Sequence, residues 1–126
     1  MHLRKHMRQR AFTLLELLIT MSLISILTAI ALPQYSHYRK KVFDMRAQSD
    51  LKNAALAEES YFLDNEKYLA CENEGCLQMQ GLSRISKGVQ IKMLLSELGF
   101  QGEASHPKGS GKVFKWDSEK GGLIMD

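Results

Sequence analysis

From Phe12 to Leu32 the chain reads FTLLELLITMSLISILTAIAL, 21 residues with one charge, Glu16. As a helix rising ~1.5 Å per residue, such a run spans roughly 30 Å, the hydrocarbon thickness of a bilayer. It must therefore cross a membrane, be covered by other helices, or be removed. The eleven residues before it, MHLRKHMRQRA, carry Arg4, Lys5, Arg8 and Arg10 and no acid. That asymmetry predicts an N-terminus in the cytoplasm and the remainder outside. The formal net charge of +3 also originates there, because the rest of the chain has 13 basic residues against 14 acidic ones. A basic total is thus a poor argument for nucleic-acid binding, and no nucleic acid is expected as a partner.

Three readings fit a basic start followed by an apolar run. The first is a secretory signal peptide cut after Ala29-Ile30-Ala31. The second is a plain transmembrane anchor. The third is a segment cut before the apolar run and kept. Glu16 separates them, because a carboxylate within an apolar helix costs ~2.5–3.5 kcal/mol on insertion scales. A signal peptide or simple anchor gains nothing for that cost, whereas a helix that pairs with another chain does.

The order of residues supports the third reading. Ala11-Phe12-Thr13-Leu14-Leu15-Glu16-Leu17-Leu18, then the apolar run, then Ala31-Leu32-Pro33-Gln34-Tyr35 and Tyr38, closely resembles the N-terminal signature of bacterial type IV pilins and pseudopilins. The resemblance covers roughly residues 8 to 42. Ala11 stands where that family usually has Gly; alanine is the next smallest residue, and the change bears on the efficiency of cleavage. The resemblance implies cutting between Ala11 and Phe12 by a prepilin peptidase and N-methylation of the new Phe12 amine. It also implies inner-membrane assembly machinery, residence in the inner membrane before assembly, and an extracellular filament of identical subunits afterwards.

The freed amine of Phe12 is the expected partner of Glu16, either on a neighbouring subunit or on the same helix. Between neighbours the pair fixes the axial stagger of adjacent helices, since a slip of one turn separates the charges. Thr13, Thr20, Ser22, Ser25 and Thr28 offer hydroxyls to helix carbonyls or to neighbouring helices, and Ala29 and Ala31 permit close approach. Pro33 lacks an N–H for the carbonyl of Ala29, which predicts a kink or local melting around residues 29 to 33. Tyr35 and Tyr38 follow as subunit contacts or as aromatic anchors at the membrane surface.

The expected fold class is α+β. Residues 1–11 are the leader, 12–33 the membrane and filament-core helix, and 34–126 the globular part. Within the last, residues 34–66 read as an amphipathic continuation of the helix, giving about 53 residues in all. Its apolar stripe is Phe43, Ala47, Leu51, Ala55 and Phe62, with Asp50, Glu58, Glu59 and several basic residues among the charges around the rest. Cys71 and Cys76, in CENEGC within a loop over 70–80, are too few for a usual metal site; if this region lies outside the cytoplasm a small disulfide is expected, with Gly75 helping the loop turn back, and two unpaired thiols are the alternative. Residues 88–126 read as an antiparallel sheet covering the stripe, with strands at Val89–Met93, Lys112–Trp116 and Gly122–Met125 and a further one at Phe100–Ala104. The HPKGSGK stretch lacks phosphate-loop spacing and reads as an exposed connection.

No nucleophile–base arrangement stands out, so the chain is not expected to be an enzyme, and neither a cofactor nor a metal is expected. The leading expectation is a filament subunit. A pseudopilin of a type II secretion system shares the same N-terminus, and an exported module with an ordinary signal peptide is the alternative of another class.

Overall fold

The computed structural model describes residues 10–124. Residues 1–9 of the expected leader, and Met125 of the expected last strand, lie outside the described residues. The chain divides into two units, one ending at Ser36 and the other beginning at His37. A single 52-residue helix, α1 (Leu14–Asn65), runs through both. It continues across Pro33, so the melting considered around residues 29 to 33 does not occur. Proline removes one backbone bond, and the helical turns on either side retain theirs.

In the first unit α1 contributes only exposed residues. Its most apolar 18 residues have a mean hydropathy of 2.2 and are 0% buried, long and apolar enough to cross a membrane.

In the second unit α1 packs on a five-stranded antiparallel meander. The strands are β1 (Cys71–Glu72), β2 (Gln90–Leu95), β3 (Phe100–Ser105), β4 (Phe114–Asp117) and β5 (Gly122–Ile124), each paired with the next. A 3-10 helix, Asn73–Gln78, follows β1. The four expected strands are therefore present with shifted ends. Cys71–Glu72 is a fifth, too short for alternation to reveal. The helix ends where Glu66 turns left-handed (φ 56°) and its N–H closes on the Phe62 carbonyl at 2.7 Å. That closure is the αL form of helix termination.

The core follows from the two periodicities. Ala47, Leu51, Ala54 and Ala55 face Ile91, Met93, Phe100 and Ala104, all at most 2% exposed. Burying each larger side chain stabilises the fold by about 1.5–3 kcal/mol. The alanines favour the helix and let it lie close to the sheet. Gly102 extends that approach, because a Cβ there would stand 2.8 Å from Leu51 Cδ1 and 2.9 Å from Met93 Sδ. The ends of the expected stripe are less enclosed: Phe43 is half-buried and Phe62 is 38% exposed.

Three corrections concern polar groups. Asp50 and Glu58, expected on the solvated side of the helix, are buried, as is Asp44. Each accepts hydrogen bonds from a connection that packs beside it, so burial places a carboxylate against N–H donors instead of water. The HPKGSGK connection is also not wholly exposed, because His106 is buried and stacked on Phe43, with ring centroids 4.4 Å apart.

The Leu51→Ala variant is expected to lose about 2–5 kcal/mol of stability, as a cavity opens opposite Gly102. Thermal unfolding of the detergent-solubilised chain, followed by circular dichroism, measures it.

Candidate assembly site

The start of α1 is set by two reciprocal bonds. Glu16 N–H donates to Thr13 Oγ1 at 3.1 Å, and Thr13 N–H donates to Glu16 Oε2 at 2.9 Å. This is a capping box, with Thr13 at the N-cap and Glu16 three positions on. The sequence leads to a terminal amine as the expected partner of Glu16. The structure adds a donor from the same chain's backbone, and the signal for it, Thr13-Leu14-Leu15-Glu16, stands in the sequence. The bond uses the N–H of Thr13, so cleavage before Phe12 would leave it intact. A carboxylate has about four lone-pair sites, so the cap leaves acceptor capacity for a second donor.

Ala11 and Phe12 precede the helix and are exposed, Phe12 at 90%. The bond between them thus lies in accessible chain outside the helix. The hydroxyls of Thr20, Ser22, Ser25 and Thr28 bond back to the carbonyls of Glu16, Leu18, Met21 and Ile24 at 2.7–2.8 Å. Of the two roles open to them, the single chain uses the intrahelical one. That satisfies each hydroxyl without a neighbour and leaves an apolar outer surface.

The sheet unit supplies the other expected pair. Cys71 and Cys76 form a disulfide with Cα atoms 5.0 Å apart, closing β1 onto the 3-10 helix. Beside it, Asn73 Oδ1 accepts the N–H of Ile91 at 3.0 Å. Glu119, in the Ser118-Glu119-Lys120 stretch, accepts Ser96 Oγ at 3.0 Å and Leu98 N–H at 2.9 Å, which fastens two hairpin turns together. Among the described residues, no three His, Cys, Asp or Glu side chains gather as metal ligands.

The groups missed from sequence are the buried carboxylates on α1. Asp44 Oδ1 accepts Ser110 N–H at 3.0 Å. Asp50 accepts both Ser86 N–H at 2.7 Å and Ser86 Oγ at 3.1 Å. Glu58 Oε2 accepts Leu69 N–H at 2.9 Å. One helix thereby holds three separate connections. Glu58 is the incomplete case: it is 0% exposed, and among the described residues its Oε1 has no hydrogen-bond partner. Burial pushes its carboxyl above the usual 4.5; the Leu69 bond partly opposes the rise and neighbouring Glu59 adds to it.

With that geometry in view, comparison with known proteins is specific at the N-terminus. The family model described as the prokaryotic N-terminal methylation motif matches residues 6–32. The type IV major pilin protein PilA of Myxococcus xanthus is 36% identical over 67 residues, 53% of this chain and 30% of that protein. The type IV wide pilus major component PilA4 of Thermus thermophilus is 32% identical over 85 residues, 68% of this chain and 63% of that protein. The type II secretion system core protein G of Pectobacterium carotovorum is 32% identical over 65 residues, 52% of this chain and 42% of that protein. The matches thus span between 30% and 63% of these relatives' length. A methylation-type N-terminus on one long helix, packed on a small antiparallel sheet, defines a pilin-like class of subunit. The chain carries the prokaryotic N-terminal methylation motif and is similar to type IV major pilins over about half to two thirds of its length.

Because the folded state binds the Glu58 proton more tightly than the unfolded chain, stability falls as pH rises from about 4.5 through the folded-state value. Replacement Glu58→Gln is expected to abolish this fall and to add about 1 kcal/mol at pH 7 by removing a buried charge. Melting temperature against pH for both proteins tests it; a wild type whose stability rises across that window contradicts it.

Proposed function

We propose that this chain is a structural subunit of a type IV pilus and performs no chemistry of its own. A prepilin peptidase cuts between Ala11 and Phe12, and the Phe12 amine is methylated. The remaining chain waits in the inner membrane with its N-terminus toward the cytoplasm and then joins identical subunits in an extracellular filament. The observation that carries this reading is an apolar helix surface, wholly exposed in the single chain, with one carboxylate near its start. Only a membrane or other such helices can cover that surface, and burying it drives assembly.

Glu16 sets the register. Its carboxylate keeps the Thr13 N–H in its own chain and takes the Phe12 amine of the adjacent subunit. Charge neutralisation then occurs only at the correct stagger. Pro33 gives the long helix a place to bend during packing. The Cys71–Cys76 bridge belongs to the oxidising space outside the cytoplasm. A pseudopilin role in type II secretion is the second reading, favoured by the similarity to the core protein G.

Mass spectrometry of the filament subunit is expected to find methylated Phe12 at the start. The Glu16→Ala variant should accumulate in the membrane at the wild-type level while filament yield drops roughly tenfold or more, as a buried charge loses its partner. A mature chain beginning at Leu32, or a normal filament yield from the variant, contradicts the proposal.

A further inference from the structure

The unit from His37 onward is electrically polarised along its own helix. At one end, the ring of His106 stacks on Phe43 and Ser110 N–H bonds Asp44. His106 Nε2 lies 3.1 Å from the Lys87 carbonyl. These contacts draw two connections to the same turn of α1, where Lys40, Lys41, Arg46, Lys87, Lys108 and Lys112 are exposed. The acid of that turn, Asp44, is buried.

The opposite end is acidic. Tyr68 packs between Phe62 and Phe100, at 4.6 and 5.0 Å, and Leu69 N–H bonds Glu58. Phe100 pairs with Leu95 beside the β2–β3 turn, and Glu119 ties the β4–β5 turn to it. Glu59, Asp64, Glu66, Glu97 and Glu119 are exposed here, with Lys67 as a minority charge; Lys120 pairs with Asp117 at 3.8 Å. Apolar side chains accompany both ends: Leu63, Leu95 and Leu98 are 81%, 57% and 87% exposed at the acidic end, and Met45 and Val113 are 59% and 51% exposed at the basic one.

Phe43 and Glu59 mark the two ends, about 24 Å apart along the helix axis. The Debye length at physiological ionic strength is only about 8 Å, so neither end neutralises the other within one molecule. We infer that the basic end of this unit docks against the acidic, leucine-bearing end of a second copy. The match in sign and in apolar accompaniment selects that occupant. An anionic lipid surface would suit the basic end alone and leave the acidic, leucine-bearing end unmatched. Because the joined patches differ, the contact is head-to-tail; it does not close on itself and can repeat without limit.

This inference rests on the filament reading, and its test uses assembled filaments of the full chain. The basic end is reversed with Lys108→Glu and Lys112→Glu, the acidic end with Glu66→Lys and Glu97→Lys, and a third protein carries all four changes. All four side chains are exposed, and a protected Cys71–Cys76 disulfide with wild-type abundance in the membrane certifies folding. Each single-end reversal is expected to lower filament yield roughly tenfold, because like charges then face each other, and the four-fold variant is expected to recover most of it. Wild-type yield from either single-end reversal overturns the inference. So does loss confined to the basic-end variant, the lipid-surface outcome, or loss at both ends without recovery when they are combined. A wild-type chain that forms no filament overturns the filament reading and this inference together.

Discussion

An ionised carboxylate in an apolar helix persists only where hydrogen-bond donors meet it, and Glu16 finds its first donor one turn away. The Thr13 N–H is available because the first N–H groups of any helix have no intrahelical acceptor. The residue that makes the apolar run costly for a membrane therefore also starts the helix. The two roles do not compete, since the cap occupies Oε2 and leaves acceptor sites on the same carboxylate. In the proposed filament the cap orients Glu16, and the neighbouring amine supplies the countercharge the cap lacks.

The sheet unit uses the same chemistry for another purpose. Asp44, Asp50 and Glu58 project from α1 and accept backbone N–H groups from three connections that would otherwise have to satisfy those donors with water. Hydrogen bonds to charged acceptors are stronger than neutral ones, so each is an effective fastening. Asp50 receives two donors from Ser86, whereas Glu58 receives one and is fully buried. Burial raises the proton affinity of Glu58, and its single Leu69 bond only partly opposes the rise. Apolar contact through Leu51 and Gly102 holds the layers together, and the acids decide where the connections lie.

The parts of the fold carried by periodicity were legible in the sequence. The apolar run, the basic leader and the Ala47–Leu51–Ala55 stripe marked the long helix, and Val89–Met93 alternated as a strand should. The disulfide followed from the spacing of Cys71 and Cys76 together with the expected compartment. The buried acids were not legible, because an acid beside an apolar stripe reads as surface unless its donor is known. The donors are remote: Ser110 lies 66 positions from Asp44, and Ser86 lies 36 from Asp50. The Thr13–Glu16 cap is legible as well, since its spacing is local, although the lipid cost of Glu16 points first to a partner on another chain.

In the proposed filament the Glu16 carboxylate meets the Phe12 amine of a different subunit. Solid-state NMR on filaments assembled from a mixture of two subunit populations tests it directly. One population carries ¹⁵N in phenylalanine and the other ¹³C in glutamate side chains. Magnetisation transfer is expected between the Phe12 amine nitrogen and the Glu16 carboxyl carbon in the mixed filaments, where the labels never share a chain. Transfer that occurs only when both labels are placed in one subunit would contradict it.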